Sequence, residues 1–177
     1  VVITTYPNRY GSYQVNTDTL KIDNNITIYR IKLPKHSSTM FSQSIAFSVY
    51  MVKGLITCFK EKPDFLIGTS GRLMTAILTW FSSCVIGKPY AIDLRDIFSE
   101  TISDIFNKKN KYFAKILKLI FTFFDKLVLK KAACVNLVSK GFLSYFEDRN
   151  INTSNWHCYS NGVDDIFINF QNSDTVK

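Results

Sequence analysis

The sequence predicts an α/β fold: a mostly parallel, Rossmann-like sheet with helices on both faces. Short apolar runs alternate with longer stretches whose apolar residues recur at helical spacing, and this alternation is typical of βαβ units. The composition is that of a globular protein, because 46% of the 177 residues are hydrophobic and 20% are charged. A chain of this size can bury one core without a disulfide or a metal to hold it.

The predicted elements follow the apolar runs and the polar breaks between them. The predicted strands are residues 1–5, 26–33, 65–67, 89–94, 133–138 and 156–159, and the predicted helices are 40–59, 73–85, 112–131 and 140–149. The polar stretch 8–25 is predicted to be a loop and residues 68–71 a turn. We expect one domain over residues 1–168, followed by a polar tail or the start of a linker over 169–177.

Charge and motif content exclude several classes of protein. The net charge of +8 favours anionic partners of any kind. The four cysteines form no C-x-x-C pair, so we expect buried, reduced thiols in a cytoplasmic protein, with neither a metal nor a cofactor. No G-x-G-x-x-G or G-x-x-x-x-G-K-[ST] occurs, which disfavours dinucleotide oxidoreductases and P-loop enzymes. No apolar run reaches the ~18 residues that a membrane span requires, and the opening residues lack the basic region of a signal peptide.

Polar residues and glycines concentrate where the predicted strands end. Those ends fall at residues 68–72, 94–100, 138–140 and 160–164. In open parallel sheets, ligands bind outside the carboxyl ends of the strands. The sequence therefore predicts a ligand site along one edge of the sheet.

Two segments resemble the amino-terminal domain of glycosyltransferase family 4, retaining enzymes in which two Rossmann-like domains face a cleft. The first reads PDFLIGTS from Pro63, then GKPY from Gly87 and DLRDIFSE from Asp93, and the second reads SNGVDDIF from Ser160. They are similar to the family's PDVV-x-TS strand, G-x-P helix exit, RDLWPE strand end and NGVD-x-x-F motif. The resemblance covers essentially the whole chain and is strongest to members that build bacterial O-antigen and capsule polysaccharides.

The resemblance implies an acceptor-side half of a GT-B enzyme that transfers a sugar from a nucleotide-sugar to a lipid-linked or polysaccharide acceptor. The motifs depart from the family at Arg72, where Pro is common, at Phe98 for Trp and at Ser99 for Pro. The family's first strand and Gly-rich loop have no counterpart before Val1, and its donor-binding carboxyl-terminal domain has none after residue 168. We therefore expect nucleotide-sugar binding only through that second domain, and no turnover by this half alone; its catalytic residues are unassigned.

The same resemblance places acceptor-binding groups at the strand ends. Asp96 and Glu100 are suited to acceptor hydroxyls, and Arg95 to an acceptor phosphate or to an ion pair with Asp96. Backbone N–H groups at residues 69–72 offer an anion site at a helix start. The alternative is that these residues are structural. Asp96 and Ser70 would then cap helices, and the Asn-Gly pair at 161–162 would form an ordinary turn. The predicted acceptor-binding set is Arg95, Asp96, Glu100, Thr69, Ser70, Arg72 and Asn161.

The basic helix predicted over 112–131 suggests a membrane contact. Its predicted core stripe is Phe113, Ile116, Leu117, Ile120, Phe121, Phe124, Leu127 and Val128. Basic residues around apolar groups suit an anionic membrane surface, here the inner face of the plasma membrane, while a solvated helix face or a domain contact is the alternative. The predicted membrane-facing residues are Lys111, Lys115, Lys118, Leu119, Phe123 and Lys126.

Two readings from other classes stay open. One is a non-catalytic partner subunit that works with a separately encoded donor-binding chain. The other is a basic Rossmann-like module that binds nucleic acid. Because the aromatic residues lie mainly on predicted core stripes and form no stacking platform, we do not expect nucleic acid as a partner.

Overall fold

The computed structural model describes residues 1–7, 16–34, 40–70, 73–97 and 111–162. Its strands are β1 (Val2–Thr5), β2 (Leu20–Asp23), β3 (Ile26–Ile31), β4 (Leu66–Ser70), β5 (Tyr90–Leu94), β6 (Cys134–Leu137) and β7 (Trp156–Cys158). Its helices are α1 (Met40–Glu61), α2 (Leu73–Ile86), α3 (Lys111–Lys131) and α4 (Gly141–Glu147). The predicted α/β class is confirmed, because a four-stranded, all-parallel sheet is flanked by helices as in a Rossmann-like fold.

The described strands form two sheets. The larger has the order β4-β5-β6-β7 and is parallel throughout. The smaller has the order β1-β3-β2, with β1 parallel and β2 antiparallel to β3. The consecutive strand order of the larger sheet follows from its βαβ connections, each of which moves one strand further along.

Two predicted irregular segments are wrong because they contain strand. Part of the stretch predicted as a loop is β2, which forms a hairpin with β3. Asn24 and Asn25 join the two strands with φ of 42° and 68°, the left-handed conformation that asparagine tolerates and that tight hairpin turns need. Likewise, residues 68–70 of the predicted turn belong to β4 and pair with β5.

Helix α1 connects the smaller sheet to the other helices. The Tyr50 hydroxyl donates to the Ile3 carbonyl at 3.1 Å, and the Tyr29 hydroxyl donates to Glu61 Oε1 at 2.6 Å. Burial raises the pKa of Tyr50, so this donor stays protonated at any physiological pH. On its other side α1 packs against α2.

The main core lies between the larger sheet and helices α2, α3 and α4. Residues in register on parallel strands point to the same face, and alternate residues point to opposite faces. The face that carries Ile92, Val135 and Trp156 is buried against the helices, and Phe146 of α4 meets the Trp156 ring edge-on at 5.0 Å. All three helices therefore contact one face of this sheet, so within the described residues the prediction of helices on both faces is not met.

The end of α3 is fastened to β5 by two hydrogen bonds. The buried Tyr90 hydroxyl donates to the Val128 carbonyl at 2.5 Å, and the Ala133 amide donates to the Tyr90 carbonyl at 2.8 Å. Val128 lies in the last turn of α3, where carbonyl groups lack helical donors. Burial raises the pKa of Tyr90, so the donating proton is retained.

We expect Gly68→Ala to destabilise the protein, because a Cβ at Gly68 would collide with the Thr79 side chain on α2. Overpacking of this kind lowers the free energy of unfolding by about 1–3 kcal/mol. Gly54→Ala is the matched control, since its Cβ would lie at an ordinary 3.6 Å from Leu78 Cδ2. Within a helix that change should stabilise by about 0.5–1 kcal/mol. Urea unfolding followed by circular dichroism measures both, and equal effects would contradict this packing of α2 on β4.

Candidate functional site at the carboxyl edge of the parallel sheet

A row of four polar residues crosses the larger sheet near the carboxyl ends of its strands. Thr69 pairs in register with Asp93, Asp93 with Asn136, and Asn136 with His157. The four side chains share one face of the sheet, opposite the face that packs on α2, α3 and α4. We call Thr69, Asp93, Asn136 and His157 the polar row.

Among the described residues, no helix packs on the face that carries the polar row. Two residues nearer the amino ends of the strands, the same face carries Ile67, Ala91 and Cys134. Ile67 is 70% exposed. Strands buried on both faces are apolar throughout, whereas the carboxyl ends of β5 and β6 alternate apolar residues toward the helices with Asp93 and Asn136 on the other face. The sequence of the strands thus suits a face that meets solvent or a ligand.

Asn136 links the strands through the row. Its Nδ2 donates to Asp93 Oδ1 at 2.6 Å, and its Oδ1 accepts from the Tyr159 amide at 2.9 Å. The Tyr159 ring in turn stacks on the His157 ring, with centroids 6.1 Å apart and planes at 26°. One asparagine side chain therefore ties β5 to the segment that leaves β7.

Asp93 also orients an arginine at the strand end. Arg95 Nε donates to Asp93 Oδ2 at 2.9 Å, in an ion pair whose carboxylate is 17% exposed and whose guanidinium side chain is 49% exposed. Both carboxylate oxygens of Asp93 are thus occupied. Arg95 Nη1 and Nη2 make no hydrogen bond to any described residue, so the described part of the chain leaves this pair of donors for a ligand.

The described members of the predicted acceptor-binding set gather at this edge. Thr69 lies in the polar row, and Arg95 and Asp96 follow β5 with their side chains exposed. Asn161 is exposed three residues beyond the end of β7. Ser70 ends β4, but its side chain lies outside the description, as do Arg72 and Glu100.

The predicted ion pair between Arg95 and Asp96 is wrong. Arg95 pairs with Asp93 instead, because side chains two residues apart in extended chain share a face while neighbours point apart. Sequence reasoning also missed Asp93, Asn136 and His157 as site residues. A signal was present, since I-D-L and V-N-L each place one polar residue between apolar neighbours of a buried strand.

The described cysteines differ in exposure, and the groove beside α1 lies apart from this edge. Cys58 is buried, Cys84 is exposed, and the two cysteines of the larger sheet are half-buried, so the expectation of buried thiols is wrong for Cys84, which lies on the outward side of α2. An open groove of about 480 Å³ runs between α1 and the β2–β3 hairpin, and no member of the polar row lines it. Among the described residues, no three His, Cys, Asp or Glu side chains are grouped to hold a metal ion.

Comparison with known proteins leaves the chain without an assigned family. Neither a protein-family model nor a curated protein sequence matches it. In the described part of the chain, no helix has both the length and the apolar character needed to cross a bilayer.

We expect Asn136→Ala to lower the free energy of unfolding by about 1–3 kcal/mol, because the Asp93 carboxylate loses a donor and the Tyr159 amide is left with the Leu137 carbonyl as its one acceptor among the described residues. Asn152→Ala is the matched control. Its side chain accepts only from the Ser154 amide, two residues on in an exposed turn, so a change within about 0.5 kcal/mol is expected. Thermal and urea unfolding of the two variants measure the difference. If both variants were as stable as the parent, the polar row would not join these strands.

Proposed function

We propose that this chain is the acceptor-binding half of a retaining glycosyltransferase. The reaction moves a sugar from a nucleotide-sugar to a lipid-linked or polysaccharide acceptor in cell-surface glycan synthesis, on the cytoplasmic side of the membrane. The observation that carries the proposal is the polar row at the carboxyl edge of a parallel sheet, with Arg95 held beside it by Asp93.

The motif resemblance falls on the same residues. The segment PDFLIGTS ends on β4 and contains Thr69, and the segment DLRDIFSE contains Asp93, Arg95 and Asp96. The segment SNGVDDIF begins two residues after β7. The three motifs therefore follow three parallel strands whose carboxyl ends lie at one edge, and this supports a shared role for them.

The groups at the edge suit a sugar and a phosphate. The Thr69 hydroxyl, the His157 imidazole and the Asp96 carboxylate offer donors and acceptors for sugar hydroxyls, and all three residues are exposed. The Nη atoms of Arg95, which bond to no described residue, suit a phosphate, because a planar guanidinium binds a phosphate with two parallel hydrogen bonds. An acceptor with both features is a sugar attached to a lipid through a diphosphate.

The contribution of this half to the reaction is positional. An acceptor hydroxyl must be held against the anomeric carbon of the donor while the nucleotide diphosphate departs, and such orientation supplies a large part of an enzyme's rate. In the proposal, the donor diphosphate is bound by a second α/β domain. Activity that appears only when a separate donor-binding chain is added would make this chain the acceptor subunit of a two-chain enzyme.

Saturation-transfer NMR with a short-chain polyprenyl diphosphate monosaccharide tests the proposal. We expect transfer to the sugar and lipid-diphosphate protons, and affinity about ten- to a hundred-fold lower for Arg95→Gln, which removes a charge-assisted contact. Lys21→Gln is the matched control, because this lysine is also exposed and ion-paired, with Asp23, but lies on the smaller sheet.

Equal affinity of the two variants would contradict the proposed acceptor site. So would binding of a nucleotide-sugar or of single-stranded nucleic acid without binding of the lipid-linked sugar. Loss of binding on addition of inorganic pyrophosphate would show that the diphosphate group is what Arg95 recognises.

A further inference from the structure

Helix α1 turns an apolar stripe away from the rest of the protein. Its buried residues include Ala46, Gly54 and Cys58, which face the neighbouring elements. On the opposite side, the exposed large apolar residues fall within an arc of about 60° at 3.6 residues per turn, and Phe41 is 79% exposed. The stripe consists of Phe41, Ile45, Val52 and Phe59, whereas Ile56 at its edge lines the groove between α1 and the β2–β3 hairpin.

Helix α2 continues this surface with a narrower stripe. Its buried side carries Leu73, Ala76 and Ser82, which face the sheet and the adjacent helices. Met74, Phe81 and Val85 are exposed on the outward side. Since α2 packs against α1 on one flank and against α3 on the other, its stripe lies between theirs.

Helix α3 completes the surface with Ile116, Leu119, Ile120 and Phe123, all exposed. The prediction that Ile116 and Ile120 belong to the core is therefore wrong. Among the α3 side chains that the structure describes, those in the core belong to the last part of the helix, where Val128 and Leu129 are buried against the larger sheet; the side chains of Phe113 and Leu117, also predicted as core, lie outside the description. We call the exposed apolar residues of the three helices the outer helix face.

The charges around this face are almost all of one sign. Helix α2 contains no charged residue, and the only acidic residues of α1 and α3 are Glu61 and Asp125. Asp125 is buried, and Glu61 accepts a hydrogen bond from Tyr29. The exposed charged residues of these helices are lysines: Lys53, Lys60, Lys115, Lys118, Lys126, Lys130 and Lys131.

On α3 the lysines flank the apolar stripe. At about 100° per residue, Lys115, Lys118 and Lys126 fall on one side of the stripe within an arc of about 80°. All three are exposed, whereas the side chain of Lys111 lies outside the description. Apolar residues bordered by lysines whose chains reach to one side are the pattern of helices that lie in a membrane interface.

We infer that the outer helix face docks the protein on an anionic lipid bilayer. The apolar stripes would enter the boundary between headgroups and acyl chains, and the lysines would meet the phosphates. The charge pattern selects this occupant, because a bilayer rich in anionic lipid complements helices whose exposed charged residues are lysines, and an exposed apolar surface spread over three helices marks an interaction site. The inference does not depend on the glycosyltransferase proposal.

Vesicle flotation of the full 177-residue chain tests the inference. We expect flotation with vesicles of phosphatidylcholine and phosphatidylglycerol at low salt, weaker flotation at high salt, and little with phosphatidylcholine alone. Lys115→Gln, Lys118→Gln and Lys126→Gln together should weaken binding on the order of 100-fold, at about fivefold per lysine. The matched control replaces Lys21, Lys32 and Lys140 by Gln, which removes the same charge from other exposed positions.

An apolar variant separates docking from simple charge attraction. Leu119→Ser with Phe123→Ser leaves the charge unchanged, touches only exposed side chains and should reduce flotation at least tenfold while the circular dichroism spectrum stays the same. Equal weakening by the control lysine triple, or full binding by the serine variant, would overturn the inference. So would a stable dimer that no longer binds vesicles, since a second copy would then cover the outer helix face.

Cys84 provides an independent measure of docking on the bilayer, because it is exposed on α2 and precedes Val85 in the sequence. In a variant with Cys134→Ser and Cys158→Ser, a polarity-sensitive thiol dye should label Cys84 and spare the buried Cys58, whose pKa is raised by burial. The emission of the dye should shift to the blue on addition of anionic vesicles. Unchanged emission under conditions where the protein floats would place the bilayer on another surface.

Discussion

The common register of four parallel strands is the constraint on which the rest of the structure depends. Because side chains alternate along each strand and β4, β5, β6 and β7 pair in phase, Ile92, Val135 and Trp156 fall on one face and the polar row falls on the other. A slip of one residue in β5 would turn Asp93 into the core and Ile92 into solvent. Burial of the helix-facing side therefore fixes the polar row on the open side.

Each layer of the fold has a different structural role. One face of the larger sheet forms the core with α2, α3 and α4, while the carboxyl edge of the other face presents Arg95 and the polar row. Helix α1 ties this unit to the smaller sheet through Tyr50 and Tyr29. The outward sides of the helices stay exposed and can contact another molecule or a membrane. The proposed ligand site and the proposed docking surface can coexist because they occupy different faces of the layered fold.

Local sequence patterns predicted most of the helices and strands but not the contacts between them. Helical spacing of apolar residues placed α1 and α2 within two residues of their observed ends, since this signal depends on neighbours in the chain. The sequence did not predict strand β2, because its residues are exposed and the turn that follows it is an Asn-Asn pair rather than the commoner Asn-Gly. Gly68 reads as a turn residue in isolation, and only its approach to α2 shows why a strand carries glycine there.

The site residues divide along the same line. Thr69, Arg95 and Asp96 were predictable because polar residues follow apolar strands at those points. Asp93 and Asn136 were not, because their hydrogen bond joins positions 43 residues apart and exists only once β5 and β6 are in register. For α3, helical periodicity cannot say which of two apolar stripes is buried, since both repeat every 3.6 residues.

Amide-resolved NMR with a short-chain polyprenyl diphosphate monosaccharide tests the central claim most directly, because it reports which part of the fold meets the ligand. The account predicts chemical-shift changes confined to the carboxyl edge, at Thr69, Asp93, Arg95, Asn136 and His157 and their neighbours. Changes centred on the groove between α1 and the β2–β3 hairpin, with none at the polar row, would contradict it.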